Sequence, residues 1–359
     1  MLYDVIMDTF EKAIEISNKV KKDFGKNSTK YRVLTGERPT GNLHLGHFFG
    51  SIKNRIEIQK VGVEMFLLIA DYQVLTDHDS CDKIAQNTKE LLMDYIAAGL
   101  DFDNDKSFVF IHSHVPELNQ LLVPFLTLMS LSELERNPTV KEEIQSAKLQ
   151  SVNAGMLVYP VHQAADILSV NANLVPVGKD QLPHLEITRT IAKRFNNKFC
   201  SDNPIFNEPI ALLSESPVII GLDGKQKMSK SRGNSIALKA TREEIIEVVK
   251  KAVTDSERNI TFDTVNRPEV SNLLTLCSLM SGERPEEIAE SIGAGGAKML
   301  KDMLIETTDR FLAPMRERRV SLEETKIKEI LYRGIEKVRD EATQTLEKVK
   351  TVMNMKPFK

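Results

Sequence analysis

Cysteine is scarce in this chain of 359 residues: Cys81, Cys200 and Cys277 are the only three, and all lie far apart. With no C-x-x-C pair there is no thiolate set for a structural zinc and no disulfide framework, and a reducing cytoplasm fits such usage. Long apolar runs are missing as well. No stretch approaches the roughly 18 apolar residues a membrane span needs, and the N-terminus lacks the basic, apolar, small-residue succession of a signal peptide. A large net charge is also absent, the formal value being −3. That excludes a globally basic protein, although phosphate contacts need only a local basic patch. There is no internal repeat and no low-complexity tract. What is present is an ordinary globular balance, 41% hydrophobic and 28% charged, in a chain long enough for two domains with ample cores.

Hydrophobic patterning divides the chain in three. Residues 1–30 read as a helical extension with an apolar stripe at Ile6, Phe10, Ile14, Ile16 and Val20, followed by Lys19, Lys21, Lys22 and Lys26. It reads as a solvated helix packed on the body, the alternative being an arm whose lysines touch RNA. From 31 to 236 strands and helices alternate. Strands are expected at 31–35, 64–70, 107–111 and 174–177, and helices at 46–59, 82–98, 117–134, 160–170 and 180–195. The run Glu64-Met-Phe-Leu-Leu-Ile-Ala70 is continuously apolar, the mark of a parallel strand buried on both faces. Such alternation predicts a doubly wound α/β fold with a parallel sheet, which binds ligands outside the carboxyl ends of its strands. From 237 to 359 the pattern turns helical, at 241–253, 269–281, 285–292, 296–318 and 322–353, and predicts a second, all-helical domain.

Three segments carry chemistry. The first is Arg38-Pro39-Thr40-Gly41-Asn42-Leu43-His44-Leu45-Gly46-His47. Its glycines allow a tight turn and close approach of a ligand. The helix that opens near Gly46 aims its N-terminus at the same place, which suits phosphate. His44 and His47 flank it as hydrogen-bond donors. The second is Lys227-Met228-Ser229-Lys230-Ser231, in a loop rich in Gly, Lys and Ser. That composition predicts a mobile cationic loop, able to stabilise negative charge on a departing pyrophosphate. The third is Gly155 to Leu168, with Tyr159, Pro160, His162, Gln163 and Asp166. Pro160 fits the first position of a helix, on which Gln163 and Asp166, three apart, share a face. A carboxylate in so apolar a helix needs a partner. Either a structural ion pair or a pocket in which Asp166 accepts a ring N–H or O–H would supply one.

The first two segments resemble the HIGH and KMSKS signatures of class I aminoacyl-tRNA synthetases. The resemblance becomes specific in Leu174 to Gln181, His184 to Arg189, Ala192 to Asn196, Ala252 to Glu257 and Ser271 to Leu274, which look like tryptophanyl-tRNA synthetase over roughly residues 31–350. It implies a homodimer with a Rossmann-like catalytic domain (31–236) and a helical anticodon-binding domain (237–359). It further implies a cytoplasmic tryptophan–tRNA ligase that uses ATP with Mg2+, makes Trp-AMP and esterifies tRNA(Trp), with no dedicated metal site on the protein. His44, His47, Lys227 and Lys230 would be catalytic. Arg38, Pro39, Thr40, Gly46, His47, Gly178, Lys179, Asp180, Val218 and Lys227 through Ser231 (Met228, Ser229 and Lys230 between them) would lie at ATP. Asp166, Gln163, Gln181, Tyr159, Leu34 and Gln73 would hold tryptophan, Asp166 accepting the indole N–H. No editing domain is expected, since a site that hydrogen-bonds its substrate rejects analogues lacking the group by roughly 10⁴–10⁵.

The chain departs from the family at several positions. Arg38 replaces a common Gln, Gln163 a common Met, and Gln73 a common His; Lys141 is followed by Glu143 where bacterial members have a second lysine. The Gln163 and His162 pattern resembles a divergent bacterial subgroup associated with tolerance of indole-based inhibitors such as indolmycin. Three cysteines cannot supply the four ligands of the iron–sulfur cluster some members carry. Two other readings are tyrosyl-tRNA synthetase, which also places Gln and Asp three apart, and an inactive paralogue that binds RNA.

Overall fold

The computed structural model describes residues 2–76, 81–147, 152–178, 181–213 and 218–358, and the side chains of all of these but 2–10 and 146–147. Five strands form one parallel sheet: β1 (Arg32–Glu37), β2 (Glu64–Ile69), β3 (Ser107–Ile111), β4 (Leu174–Val177) and β5 (Ile210–Leu213), in the order β3-β2-β1-β4-β5. Arg32 pairs with Glu64 at one end of the β1–β2 ladder and Glu37 with Ile69 at the other. Met65, Phe66, Leu67, Val109 and Phe110 are all buried, so both faces of the sheet are covered, as the apolar runs require. The winding reverses between β1 and β4. The carboxyl ends of those two strands therefore open onto a crevice, where Arg38–Thr40 and Gly178 begin.

The doubly wound sheet and the helical C-terminal region are as expected, but several local features differ. β1 runs through Gly36 to Glu37 rather than stopping, because the strands approach so closely there that a Cβ on Gly36 would sit 2.4 Å from the Leu68 carbonyl oxygen. The four-residue β5 was not expected, being too short to show a period. The helix expected over 117–134 is two, Pro116–Leu126 and Leu131–Arg136. Ser130 starts the second with a capping box, its backbone N–H donating to Glu133 Oε2 at 2.9 Å. A further helix, Pro138–Ala147, follows. Pro160 is not a first-turn residue. Asn153 caps the helix Ala154–Ser169 by accepting the Met156 N–H at 3.0 Å, which leaves Pro160 inside it. An interior proline removes one helical bond and costs about 3 kcal/mol, offset here by burial of the apolar helix.

Of the stripe expected on the N-terminal helix Leu2–Asn27, Val20 is buried, Ile14 and Ile16 are not, and the side chains of Ile6 and Phe10 lie outside the described residues. Ile14 and Ile16 are exposed, while Ala13, Ser17, Val20 and Phe24 are buried, a spacing that follows the helical period. Ser17 Oγ accepts the Leu213 backbone N–H at 3.1 Å and so docks the helix on β5. At the other end of the chain, Arg242–Lys250, Pro268–Ser281, Pro285–Ile292, Gly296–Val320 and Glu324–Val352 are helices close to the expected segments. The last returns to the sheet. A Cβ on Gly334 would lie 1.9 Å from the Val109 carbonyl oxygen, so only glycine admits this contact. Arg32 fastens the same helix through Glu341 at 2.8 Å while pairing with Glu64 at 2.6 Å.

Candidate active site

The loop leaving β1 is held from three directions. Gly41 has φ +142°, a conformation that favours glycine. The Leu43 N–H donates to the buried Asp94 Oδ2 at 3.1 Å. Leu45 N–H donates to the Ile236 carbonyl at 3.0 Å, and Leu238 N–H to the Leu43 carbonyl at 2.9 Å. These last two bonds tie the histidine segment to the backbone just after the lysine segment. The two motifs thus become neighbours. A Cβ on Gly41 would sit 2.9 Å from Lys230 Nζ, and one on Gly46 would sit 3.3 Å from Met228 Cβ. Met228 is buried beneath the lysines, with Lys227 and Lys230 exposed around it.

The histidines are kept neutral. Their rings lie 3.8 Å apart, and the His44 backbone N–H donates to His47 Nδ1 at 3.2 Å. His47 therefore carries its proton on Nε2. Burial, together with His47 and Lys227, pushes the His44 imidazole down to about 3. His47 is lowered too, by burial above all, with Glu37 opposing and Arg55 and Lys227 reinforcing. Two neutral imidazoles can donate to phosphoryl oxygens without titrating near neutrality. Beneath them lies a buried ion pair, Glu37 with Arg55 at 3.0 Å, and Ser51 Oγ donates to Glu37 at 2.9 Å. Burial disfavours the Glu37 charge, but Arg55 first, then His47, Ser51 and Tyr95, outweigh it and hold the carboxyl below its usual range.

The lysine loop is more tightly bonded than its composition predicted. Asn234 is buried; its Oδ1 accepts the Ser229 N–H at 2.8 Å and its Nδ2 donates to Asp223 Oδ2 at 2.9 Å. Asp223 Oδ1 accepts the Lys225 and Gln226 N–H groups at 3.2 Å each. A short 3-10 turn, Lys230–Arg232, ends at Gly233 with φ +66°. The asparagine supplies backbone pairing that a strand or helix would otherwise provide.

A second part of the candidate site is built by the helix Ala154–Ser169. Asp166 is wholly buried, with Oδ1 bonded to His112 Nε2 and Oδ2 without a hydrogen-bond partner among the described residues. His162 stacks on His112, and its Nε2 lies 2.8 Å from Asn119 Oδ1. Tyr159 OH and His184 Nε2 are 3.0 Å apart. Ligand atoms of His112, His162 and Asp166 fall within 4.8 Å of one another, and among the described residues no other such cluster could hold a metal. Their hydrogen bonds and the parallel ring stack make this a polar network first.

A family model for class I tRNA synthetases (W and Y) matches residues 26–313. The tryptophan–tRNA ligase of Lactococcus lactis subsp. lactis (strain IL1403) is 40% identical over 345 residues, 92% of this chain and 100% of the relative. That of Streptococcus pyogenes serotype M1 is 38% identical over 344 residues, with 92% and 100% covered. Among solved structures, tryptophanyl-tRNA synthetase from Campylobacter jejuni complexed with ADP and tryptophan superposes with a TM-score of 0.80 at 32% identity, covering 90% of this chain and 99% of that one. The chain belongs to the tryptophanyl-tRNA synthetase family.

Most residues expected at the site of such a synthetase gather at the carboxyl ends of β1 and β4 or on the helix Ala154–Ser169. Pro39 is buried and Thr40 exposed, its N–H donating to the Arg38 carbonyl at 2.8 Å. Arg38 Nη1 donates to the Gln73 carbonyl at 3.3 Å, so these two departures from the family pattern touch. Leu34 is buried with Val175 and Ile167. Gln163 is half-buried, and the Gln181 N–H donates to the Gly178 carbonyl at 3.1 Å. Ser229 and Ser231 hydroxyls are 3.0 Å apart. Val218 is 66% exposed, leaving most of its side chain open to solvent. Lys179 and Asp180 lie outside the described residues. Sequence reasoning missed His112, Asn119, Asp94, Arg55 and Asn234. Only His112 carried a readable signal, standing directly after a buried parallel strand.

Proposed function

We propose that this protein charges tRNA(Trp) in two steps, with the residues above in the following roles. A tryptophan carboxylate oxygen attacks the α-phosphorus of ATP, the bond to the pyrophosphate breaks, and pyrophosphate departs with its Mg2+. A ribose hydroxyl of the terminal adenosine of tRNA then attacks the adenylate carbonyl, and AMP leaves. No side chain acts as nucleophile. Catalysis is positioning and electrostatics. His44 and His47, both neutral, donate to phosphoryl oxygens. Lys227 and Lys230 meet the charge that develops on pyrophosphate. Arg38, Pro39, Thr40, Gly46 and Gly178, with Lys179, Asp180, Val218, Met228, Ser229 and Ser231, frame ATP. Asp166 Oδ2 accepts the indole N–H, and Tyr159, Gln163, Gln181, Leu34 and Gln73 surround the amino acid.

The observation that carries the reading is the meeting of the two motifs, Lys230 against Gly41 and Met228 against Gly46. An inactive RNA-binding paralogue would not need both lysines around neutral imidazoles. The tyrosyl alternative loses to the tryptophan–tRNA ligase relatives. We assign 31–236 to catalysis and 237–359 to the anticodon arm, and take the family's homodimer for this chain. Among the described residues no helix is long and apolar enough to cross a membrane; the cytoplasm, where translation consumes the product, is the proposed location. ATP–pyrophosphate exchange run with tryptophan and with tyrosine, followed by charging of tRNA(Trp), tests the proposal. Exchange with tyrosine instead, or with neither, refutes it.

A further inference from the structure

The helix Ala154–Ser169 carries one ionisable group wholly shut from solvent, and its surroundings are uneven. Asp166 Oδ1 meets His112 Nε2; Oδ2 is buried and meets no donor among the described residues. His112 comes from the turn after β3 and is itself fully buried. His162 lies flat on it, ring centroids 4.2 Å apart and planes within 7°, with Tyr72 tilted at 5.8 Å. Asn119, on the helix Pro116–Leu126, holds His162 at 2.8 Å. One donor, His112, thus reaches the carboxylate and satisfies half of it, while His162 and Asn119 back that donor.

We propose that His112 is a positioning residue for tryptophan recognition. It binds Asp166 Oδ1 and so fixes the carboxylate plane, leaving Oδ2 as the one acceptor for the indole N–H. His162, anchored by Asn119, keeps the His112 ring from turning. The inference rests on the reading that Asp166 receives the indole N–H. Its physical content is directional. A carboxylate free to turn about Cβ–Cγ offers either oxygen to the ring or to stray water, and each orientation lost weakens selection. A carboxylate pinned on one side presents a desolvated, unpaired oxygen. A substrate with a donor there gains a charge-assisted bond, and one without it leaves the oxygen unsatisfied. His112 also supplies the partner that a carboxyl group wholly buried in so apolar a helix needs. The position of His162 follows from the same logic: its Nε2 goes to Asn119 rather than to Asp166, so it acts through ring contact with His112.

The test compares tryptophan with β-(3-benzothienyl)alanine, an isostere with sulfur in place of the indole N–H, by ATP–pyrophosphate exchange on the full-length protein. The wild type is expected to prefer tryptophan in kcat/KM by roughly tenfold or more. His112→Leu should lose most of that preference through a raised KM for tryptophan, with kcat and the isostere's kcat/KM changed little. His112→Gln, which keeps a donor, should retain the preference. A His112→Leu protein that discriminates like the wild type, or that loses both substrates equally, overturns the proposal. A wild type indifferent to the N–H overturns the Asp166 reading, and the inference with it. Should His112→Leu not fold, long-range 1H–15N spectra of the wild type decide: Nε2 of His112 must carry a proton with and without tryptophan, and a ring protonated on Nδ1 alone overturns the proposal.

Discussion

Acid should destabilise this protein through His44, by an amount that can be worked out from its surroundings. The imidazole falls from 6.5 to about 3 because it is buried beside His47 and Lys227. On unfolding, those constraints vanish and the ring regains its ordinary value. Above 6.5 both states are neutral and His44 contributes no pH dependence. As pH falls below 6.5 the unfolded chain binds a proton that the native state refuses, so stability drops, and it keeps dropping until the native ring protonates near 3. At pH 5 the gap is one and a half pH units at 1.36 kcal/mol each, or about 2 kcal/mol. Other groups also titrate in this window, so the measurement must be a difference. Urea unfolding of wild type and His44→Gln at pH 8 and pH 5 isolates it: the variant should lose about 2 kcal/mol less than the wild type between the two values. Equal losses would mean that the His44 imidazole keeps an ordinary pKa and is not desolvated by the lysine loop. The same neutrality has a kinetic consequence. The exchange reaction of the wild type should show no ionisation near 6.5 arising from the His44 ring.

Lys230→Ala should slow adenylate formation by about 10²–10³ while tryptophan binding holds; rapid-quench measurement of Trp-AMP checks it, and an unchanged rate removes Lys230 from the transition state. Within residues 1–30, Val20 and Phe24 are buried in the core. Deleting 1–30 should therefore cost about 3–6 kcal/mol, at roughly 1.5–3 per side chain; a truncated protein with the wild-type denaturation midpoint would show that the docked helix adds nothing. Gln163→Met should increase sensitivity to indolmycin more than it changes the KM for tryptophan, because a mimic cannot satisfy the same polar groups. Inhibition constants of the two proteins against tryptophan decide this, and equal constants refute it.

Four of the five strands and most helices were legible because burial on both faces leaves continuous apolar runs such as 64–70. What escaped has identifiable causes. The N-terminal helix buries a mixed face, Ala13, Ser17, Val20 and Phe24, in which a serine sits where the period wants an apolar residue. Its exposed Ile14 and Ile16 therefore looked like the stripe, and only the docking partner, the Leu213 N–H on β5, explains why a hydroxyl is preferred at Ser17. The boundary at Pro160 failed for a related reason: the cap is Asn153, and a proline's position in a helix cannot be judged without finding the cap first.

The active site shows the same division between local and distant determinants. That His44 and His47 would meet Lys227 and Lys230 was readable because short segments carry them with a recognisable order. The groups that set their charge and orientation come from elsewhere in the chain. Asp94 holds the Leu43 N–H and is itself paired with Arg319 from the C-terminal region. Arg55 offsets the burial of Glu37, and His112 shares Asp166. Each is an ordinary polar residue in sequence, and its role exists only through contact across the fold. A consequence follows for substitution. Under the proposed roles, exchanging a motif residue removes a group that meets substrate, whereas exchanging Asp94 or His112 leaves every motif intact and shifts where the motif points. The second kind of change is the one by which relatives with the same signatures can come to differ in selectivity.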